Sequence, residues 1–272
     1  MRPRKRKLGF IGAGNMAGAL VKGVLEARLY KPSDVWITDP IASQRARIRR
    51  RYRVDAARDN LELVCGSEIV VLAVKPQVLP EVLSAIQPVA TESQLFISIA
   101  AGTTLRRIEG GLGERARVVR VMPNTPALLG KGVSVMVRGS KATPKDLRTA
   151  MRLFRGVGDA LAVDAENLLA PVTGLSGSGP AYVYRFAEAL IEAGVRQALS
   201  EEVATRLVFR TIQGAAAMLN ETGMTPKELR EMVSSPGGTT LAGLAALEGA
   251  GFAAAVDGAV AAATRRSREL AG

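Results

Sequence analysis

The chain has 272 residues, 47% of them hydrophobic, with a net charge of +12 at pH 7, one cysteine and no histidine. That length can bury a sizeable core and suggests one large or two modest domains. Without histidine, Ser-His-Asp and Cys-His mechanisms and most zinc chemistry are excluded, and lone Cys65 offers neither a disulfide framework nor a metal site, so no metal is expected.

The opening MRPRKRK and the glycine-rich LGFIGAGNMAGAL imitate a signal peptide but read as mature protein. KLGFIG (7–12) predicts a strand, NMAGALVKGVLEA (15–27) a helix, DVWITD (34–39) a strand and SQRARIRRRY (43–52) an arginine-rich helix: a βαβ unit. EIVVLAV (68–74), LFISIA (95–100), RVVRVM (117–122) and GVSVMV (132–137) follow as strands, with helical stretches such as PEVLSAI between some of them. Such near-continuous apolar strands imply a parallel sheet covered on both faces.

After about residue 165 only helices are predicted: 180–199, 200–219, 225–233, 239–251 and 252–270. Ser200 before Glu201 and Glu202, and Thr225 with Glu228 three residues on, mark two of their starts. The fold class is therefore an α/β Rossmann-type N-terminal domain, 1–165 with a basic tail at 1–6, followed by an all-α domain, 166–272. The helices of the second domain are apolar almost all round, which predicts packing on another subunit. No run of 18 apolar residues occurs, and FAAAVDGAVAAA (252–263) is broken by Asp257, so no membrane association is expected. The lone cysteine suits a reducing, cytoplasmic setting.

The positive charge concentrates in the tail and in the 45–53 arginine stretch, where Tyr52 is the one interleaved aromatic. A polyanion or a small phosphorylated ligand both answer such a field. With no stacking platform, a solvated helix face is expected and nucleic acid is not.

Three motifs carry chemistry. IGAGNMAG (11–18) supplies G-x-G-x-x-A at a strand-to-helix junction: Gly12 for the tight turn, Gly14 for approach of a pyrophosphate, Ala17 for close helix packing. The helix N-terminus then faces the phosphates with free N–H groups. Asp39, closing the second strand, stands where an acid binds the adenosine ribose and favours NAD, while Arg45 and Arg47 can hold the 2′-phosphate of NADP; both cofactors stay open. VSSPGGTT (233–240) reads first as a turn at Pro236-Gly237-Gly238 with a threonine capping the next helix.

GFIGAGNMAGAL, VVLAVKPQVL (70–79), SIAAGTTL (98–105), VRVMPNTPALLGKG (119–132), TGLSGSGPAYV (173–183) and SSPGGTT (234–240), in this order, resemble the pyrroline-5-carboxylate reductases nearly end to end. The resemblance implies reduction of 1-pyrroline-5-carboxylate to L-proline, the last step of proline biosynthesis, with NADPH, or NADH, as cofactor. It also implies a homodimer in which each active site is built from two subunits. Cofactor binding falls on Gly12, Ala13, Gly14, Asn15, Met16 and Asp39, on Asn60 at the adenosine side, and on Ala73, Val74, Lys75, Pro76, Ala100 and Ala101 at the nicotinamide side. Ser235, Gly238, Thr239 and Thr240 fall on the substrate loop that holds the carboxylate, with the Thr240 hydroxyl facing the ring nitrogen. Thr240, Ser235 and Lys75 are the candidate catalytic residues. The sequence departs from many relatives in carrying Ala170 where they have an acid, although Glu166 is kept; Asp39 is often a small residue in NADPH-preferring relatives.

The chemistry fits the composition. A protonated cyclic imine is electrophilic, solvent can supply its proton, and a cofactor can bring the hydride. Such a site requires a receptor for one carboxylate, a hydroxyl beside the nitrogen and a reductant held about 3 to 3.5 Å from the carbon; histidine is not required. Lys75 can be catalytic or can brace loop carbonyls, Asn124 can touch substrate or hold its turn, and Ser176 and Ser178 can serve packing or a site. Two other classes remain: a different Rossmann-plus-helices oxidoreductase, either 3-hydroxyacid dehydrogenase-like or a related imine reductase, and a nucleic-acid binder. The first lacks its expected Lys and Asn pair near 175–190; the second predicts binding that falls steeply with salt.

Overall fold

The computed structural model describes residues 6–271; residues 1–5 of the expected basic tail lie outside them. The first eight strands and α-helices are β1 (Arg6–Ile11), α1 (Asn15–Glu26), β2 (Val35–Thr38), α2 (Ala42–Tyr52), β3 (Asp55–Ala56), α3 (Asn60–Gly66), β4 (Ser67–Leu72) and α4 (Leu79–Ile86). There follow β5 (Leu95–Ser98), α5 (Leu105–Leu112), β6 (Arg117–Pro123), β7 (Gly132–Arg138), α6 (Pro144–Phe154) and β8 (Gly158–Ala162). Among the described residues no strand occurs after β8. The helical remainder is α7 (Leu169–Val172), a π-helical turn (Thr173–Gly177), α8 (Gly179–Arg196), α9 (Glu201–Glu221), α10 (Pro226–Met232), α11 (Thr239–Gly249) and α12 (Phe252–Ala271).

The eight strands form one sheet in the order β3-β2-β1-β4-β5-β6-β7-β8. All neighbouring pairs are parallel except β6 and β7, which are antiparallel. The expected parallel sheet is thus corrected at this point. The link from Pro123 to Gly132 is a single 3-10 turn over Thr125–Leu129, too short for the crossover of a dozen or more residues that a parallel return needs. Two strands carry little sequence signal: β3 is two residues long, and GDALA of β8 has no β-branched residue.

Alternate side chains of the strands enter two separate cores, one on each face. Leu8, Phe10, Val71, Ile97 and Met136 pack with α1 and α6, while Ile11, Val70, Leu72, Phe96 and Val135 pack with α3, α4 and α5. Burial on both faces explains the unbroken apolar runs of the sequence.

By packing the chain forms two compact units, residues 1–178 together with 262–272, and residues 179–261. The expected division at 165/166 differs from this one, because the segment from Glu166 through the π-turn and the end of α12 pack with the sheet unit. Within the helical unit few hydrophobic residues are buried, namely Ala187, Ala204 and Val208. Tyr184, Phe186, Leu207, Phe209, Met232 and Val256 are all exposed there. A patch of this extent marks an association surface.

Candidate active site

The order in which successive strands are added reverses between the parallel neighbours β1 and β4, the crevice where doubly wound sheets bind nucleotides. Three carboxyl-end loops are stitched together there: Gly12 N–H donates to Thr38 O (2.8 Å), Ala73 N–H to Ile11 O (2.8 Å), and Ile99 N–H to Leu72 O (3.2 Å). Gly12, Ala13, Gly14, Asn15 and Met16, Asp39, Ala73, Val74, Lys75 and Pro76, and Ala100 and Ala101 therefore emerge from one edge of the sheet. Asn60 joins them through its Oδ1, which accepts from Thr38 Oγ1 at 2.6 Å.

Gly12 has φ +99°, and a Cβ on it would lie 2.5 Å from Ala73 O, so both conformation and space require glycine. Gly14 is different: a Cβ there would meet nothing within 4 Å. It is the N-cap of α1, whose first turn has no side-chain cap among the described residues and no acid. The first hydrogen bond back into the helix is Gly18 N–H to Gly14 O, leaving the N–H groups ahead of it open. Open space before an uncapped helix N-terminus fits a pyrophosphate.

Asp39 does more than the sequence suggested. Its Oδ2 accepts from Ala13 N–H and its Oδ1 from Ile41 N–H, both at 2.8 Å, so the carboxylate shapes the glycine-rich loop; each oxygen keeps a lone pair for a further donor. Arg45 donates to Asp39 O. Arg47 is engaged by protein acceptors: its guanidinium donates to Ala13 O (3.0 Å), Asn15 Oδ1 (3.1 Å) and Gln44 Oε1 (2.8 Å). A cleft of about 480 Å³ opens beside these groups, lined in part by Gly12, Thr38, Asp39, Arg45, Arg58 and Asn60. Arg58 is a lining residue that sequence reasoning missed, since neither motif nor spacing singles it out.

Lys75 is exposed, and among the described residues its ammonium has no hydrogen bond or ion pair to a protein group. Asn124, by contrast, is occupied at both ends of its amide, donating from Nδ2 to Ser176 O (3.2 Å) and accepting Val133 N–H at Oδ1 (2.9 Å). It ties β6, β7 and the π-turn together, which is its turn role. Ser176 Oγ donates to Val172 O and Thr173 Oγ1 to Leu169 O, back-bonds that accompany the widened turn closed by Ser178 N–H to Thr173 O (2.8 Å).

The second group of candidate residues lies in the helical unit. Thr225 and Glu228 form the expected capping box of α10, and the backbone N–H and hydroxyl of Thr225 hold the Glu228 carboxyl below its ordinary range. After α10 the chain turns through Ser235-Pro236-Gly237-Gly238, closed by Gly238 N–H to Ser235 O (3.0 Å) with Gly237 at φ +69°. A Cβ on Gly238 would strike Ser235 Oγ. The threonine cap expected for α11 is corrected: Gly238 is the N-cap, and no side chain among the described residues caps the helix. The reason is the turn itself, which places Thr239 and Thr240 inside the first helical turn. Among the described residues no protein group hydrogen-bonds either hydroxyl, and the first turn carries no acid. Ser235, Thr239 and Thr240 thus present hydroxyls beside the open N–H groups of an uncapped helix N-terminus, with Gly238 N–H already given to Ser235 O; such an uncharged donor set suits an anion.

Two family models match separate parts of the chain. Residues 7–102 match the description "NADP oxidoreductase coenzyme F420-dependent", and residues 166–270 match "Pyrroline-5-carboxylate reductase dimerisation". The pyrroline-5-carboxylate reductase of Methanosarcina acetivorans is 43% identical over 265 residues, covering 97% of this chain and 98% of that protein. A solved pyrroline-5-carboxylate reductase from Coxiella burnetii superposes with a TM-score of 0.93 at 34% identity, covering 99% of this chain and 100% of the other. The Plasmodium falciparum pyrroline carboxylate reductase, solved with NADP bound, gives a TM-score of 0.86 at 33% identity over 99% of this chain and 100% of its own. With both the nucleotide-binding half and the helical half matched, and with relatives aligned end to end, the chain belongs to the pyrroline-5-carboxylate reductase family.

Proposed function

We propose that the chain reduces 1-pyrroline-5-carboxylate to L-proline with NADPH, accepting NADH as a second reductant, and that it works as a homodimer. The observation that carries the reading is that one chain holds both an open pyrophosphate seat at Gly14 and, in its other unit, an uncharged donor loop at Ser235–Thr240. When bound, the nicotinamide supplies the hydride that the chain itself has no group to supply.

The protein's own groups do the remaining work. The N–H groups at the start of α1 bind the pyrophosphate, with Gly14 leaving room and Asp39 holding the loop in place. Arg45 and Arg58 line the cleft on the adenosine side and favour a 2′-phosphate, while Asp39 remains able to accept from a ribose hydroxyl. Ala73–Pro76 and Ala100–Ala101, on adjacent loops, are assigned to the nicotinamide side, with Lys75 a cationic neighbour of the cofactor. Ser235, Gly238 and Thr239 take the substrate carboxylate, and the Thr240 hydroxyl orients the ring nitrogen. An uncharged receptor suits a substrate carrying both a carboxylate and an iminium, because a fixed charge would favour one and repel the other. The homodimer rests on the exposed apolar side chains of the helical unit together with the dimerisation family match.

The test is oxidation of NADPH and of NADH, followed by loss of the reduced-nicotinamide absorbance, with and without added 1-pyrroline-5-carboxylate. Substrate-dependent turnover with proline as product is expected, with a higher kcat/KM for NADPH. Absence of turnover with either cofactor would overturn the reading.

A further inference from the structure

A second carboxylate stands behind the loop assigned to the nicotinamide. The link from β5 to α5, residues 99–104, carries Ala100 and Ala101. Its first residue is fixed to β4 by Ile99 N–H to Leu72 O (3.2 Å). Its far end is fixed by two acceptors. Thr104 caps α5, with its hydroxyl accepting from Arg107 N–H, and Glu166 Oε1 accepts from Leu105 N–H at 2.6 Å. The same Glu166 oxygen accepts from Arg120 Nη1 at 2.6 Å.

Arg120 comes from the middle of the sheet, opposite Ser98 of β5 and Val137 of β7, and its side chain is only 9% exposed. A buried guanidinium requires a counter-charge, so Glu166 is held where Arg120 puts it. From there it delivers negative charge to the N-terminus of α5, a position the helix dipole favours. The loop is also backed from the other side. A Cβ on Gly102, at φ +69°, would lie 3.2 Å from Leu270 Cβ near the end of α12. A cavity of about 300 Å³ beside Glu166 and Arg120 is walled by Ser267, Arg268 and Ala271 of the same helix.

We propose that Glu166, clamped by Arg120, is a positioning residue for hydride transfer: it locks the start of α5 and thereby fixes the Ala100–Ala101 loop against which the nicotinamide ring lies. The proposal rests on the assignment of that loop to the nicotinamide side. The adenosine-end cleft is formed without the β5–α5 link. Glu166 therefore acts on the reacting end of the cofactor and leaves the anchoring end untouched.

The experiment compares wild type and Glu166→Gln, each as the full chain, by three readings. These are steady-state kinetics with NADPH varied, binding of 2′,5′-ADP as an adenosine-end probe, and amide exchange of the peptide spanning 99–107. The glutamine keeps an acceptor for Leu105 N–H but loses the charge that Arg120 holds. We expect faster exchange in that peptide, a kcat lower by roughly 10- to 100-fold and 2′,5′-ADP affinity within about twofold of wild type. If Glu166→Gln does not fold, Leu105→Pro decides instead. Proline is tolerated at the first helical position and removes the donor together with a buried leucine side chain, so it is read against Leu105→Ala, which loses the same side chain but keeps the N–H; the Glu166–Arg120 pair stays in place in both. Kinetics within about twofold of wild type in the folded variant, or a parallel loss of 2′,5′-ADP binding, would overturn the proposal. A wild-type chain that binds 2′,5′-ADP but never turns over the imine would instead refute the function proposed above, and the exchange measurement would still report whether Glu166 anchors the loop.

Discussion

The two glycines of the fingerprint make opposite predictions when each is replaced by alanine. In Gly12→Ala the new Cβ must adopt φ +99° and would sit 2.5 Å from Ala73 O and 2.8 Å from its carbonyl carbon. That carbonyl belongs to backbone already held by the Ala73 N–H to Ile11 O bond, so relief requires moving β4 relative to β1. The conformational cost is about 1–2 kcal/mol, and overpacking against backbone adds about 1–3 kcal/mol. In Gly14→Ala the backbone is extended (φ −69°, ψ −171°) and the Cβ enters open space, so stability should change by less than about 1 kcal/mol. The methyl group would, however, occupy the seat assigned to the pyrophosphate, and NADPH affinity should fall at least about tenfold, the equivalent of about 1.4 kcal/mol. Denaturant unfolding of the apo protein measures the first quantity and fluorescence titration with NADPH the second. Wild-type NADPH affinity in Gly14→Ala would refute the placement of the pyrophosphate, and wild-type stability in Gly12→Ala would refute the close approach of β1 and β4.

Three further outcomes are expected. Ser134, fully buried in β7, has a hydroxyl with no partner among the described residues, so Ser134→Ala should be neutral or raise stability by about 1 kcal/mol in denaturant unfolding; a clear loss would mean the hydroxyl is satisfied. Glu228 has a folded pKa below its unfolded value, so its contribution to α10 is present above the unfolded pKa and is lost as pH falls through the folded one. Protection of the α10 amides, taken relative to the intrinsic exchange rate at each pH, should fall across that acid window in wild type, and Glu228→Gln, which does not titrate, should abolish this pH dependence. Lys75→Ala should raise the KM for NADPH while the pH–rate profile keeps its basic limb; loss of that limb would make Lys75 a proton donor.

Much of the nucleotide-binding unit was legible in the sequence because its strands are buried on both faces and read as continuous apolar runs. The placement of β1, β2, β4, β5 and β6 along the chain and the glycine turn follow from that pattern and from local backbone chemistry. The reversal at β7 was less visible, because GVSVMV looks the same in either direction and only the shortness of the Pro123–Gly132 link decides it. The cap of α11 was misread for a local reason: threonine is a common cap, but the Pro236-Gly237 turn shifts the helix start onto Gly238. Arg47 and Glu166 were illegible for a tertiary reason. Their partners, Ala13 and Leu105, lie 34 and 61 residues away, and no periodicity encodes a pairing across such a distance.

The central claim is that an uncharged loop of N–H and O–H donors handles the substrate while the cofactor supplies the reactivity. The most direct measurement is kcat/KM for 1-pyrroline-5-carboxylate in wild type, Thr240→Val and Thr240→Ser at saturating NADPH. Valine preserves the shape and removes the hydroxyl, and the loss of a hydrogen bond to a charged partner, about 1.5–3 kcal/mol, predicts a fall of roughly 10- to 100-fold. Serine should restore most of it. A Thr240→Val enzyme with wild-type kcat/KM would contradict the account.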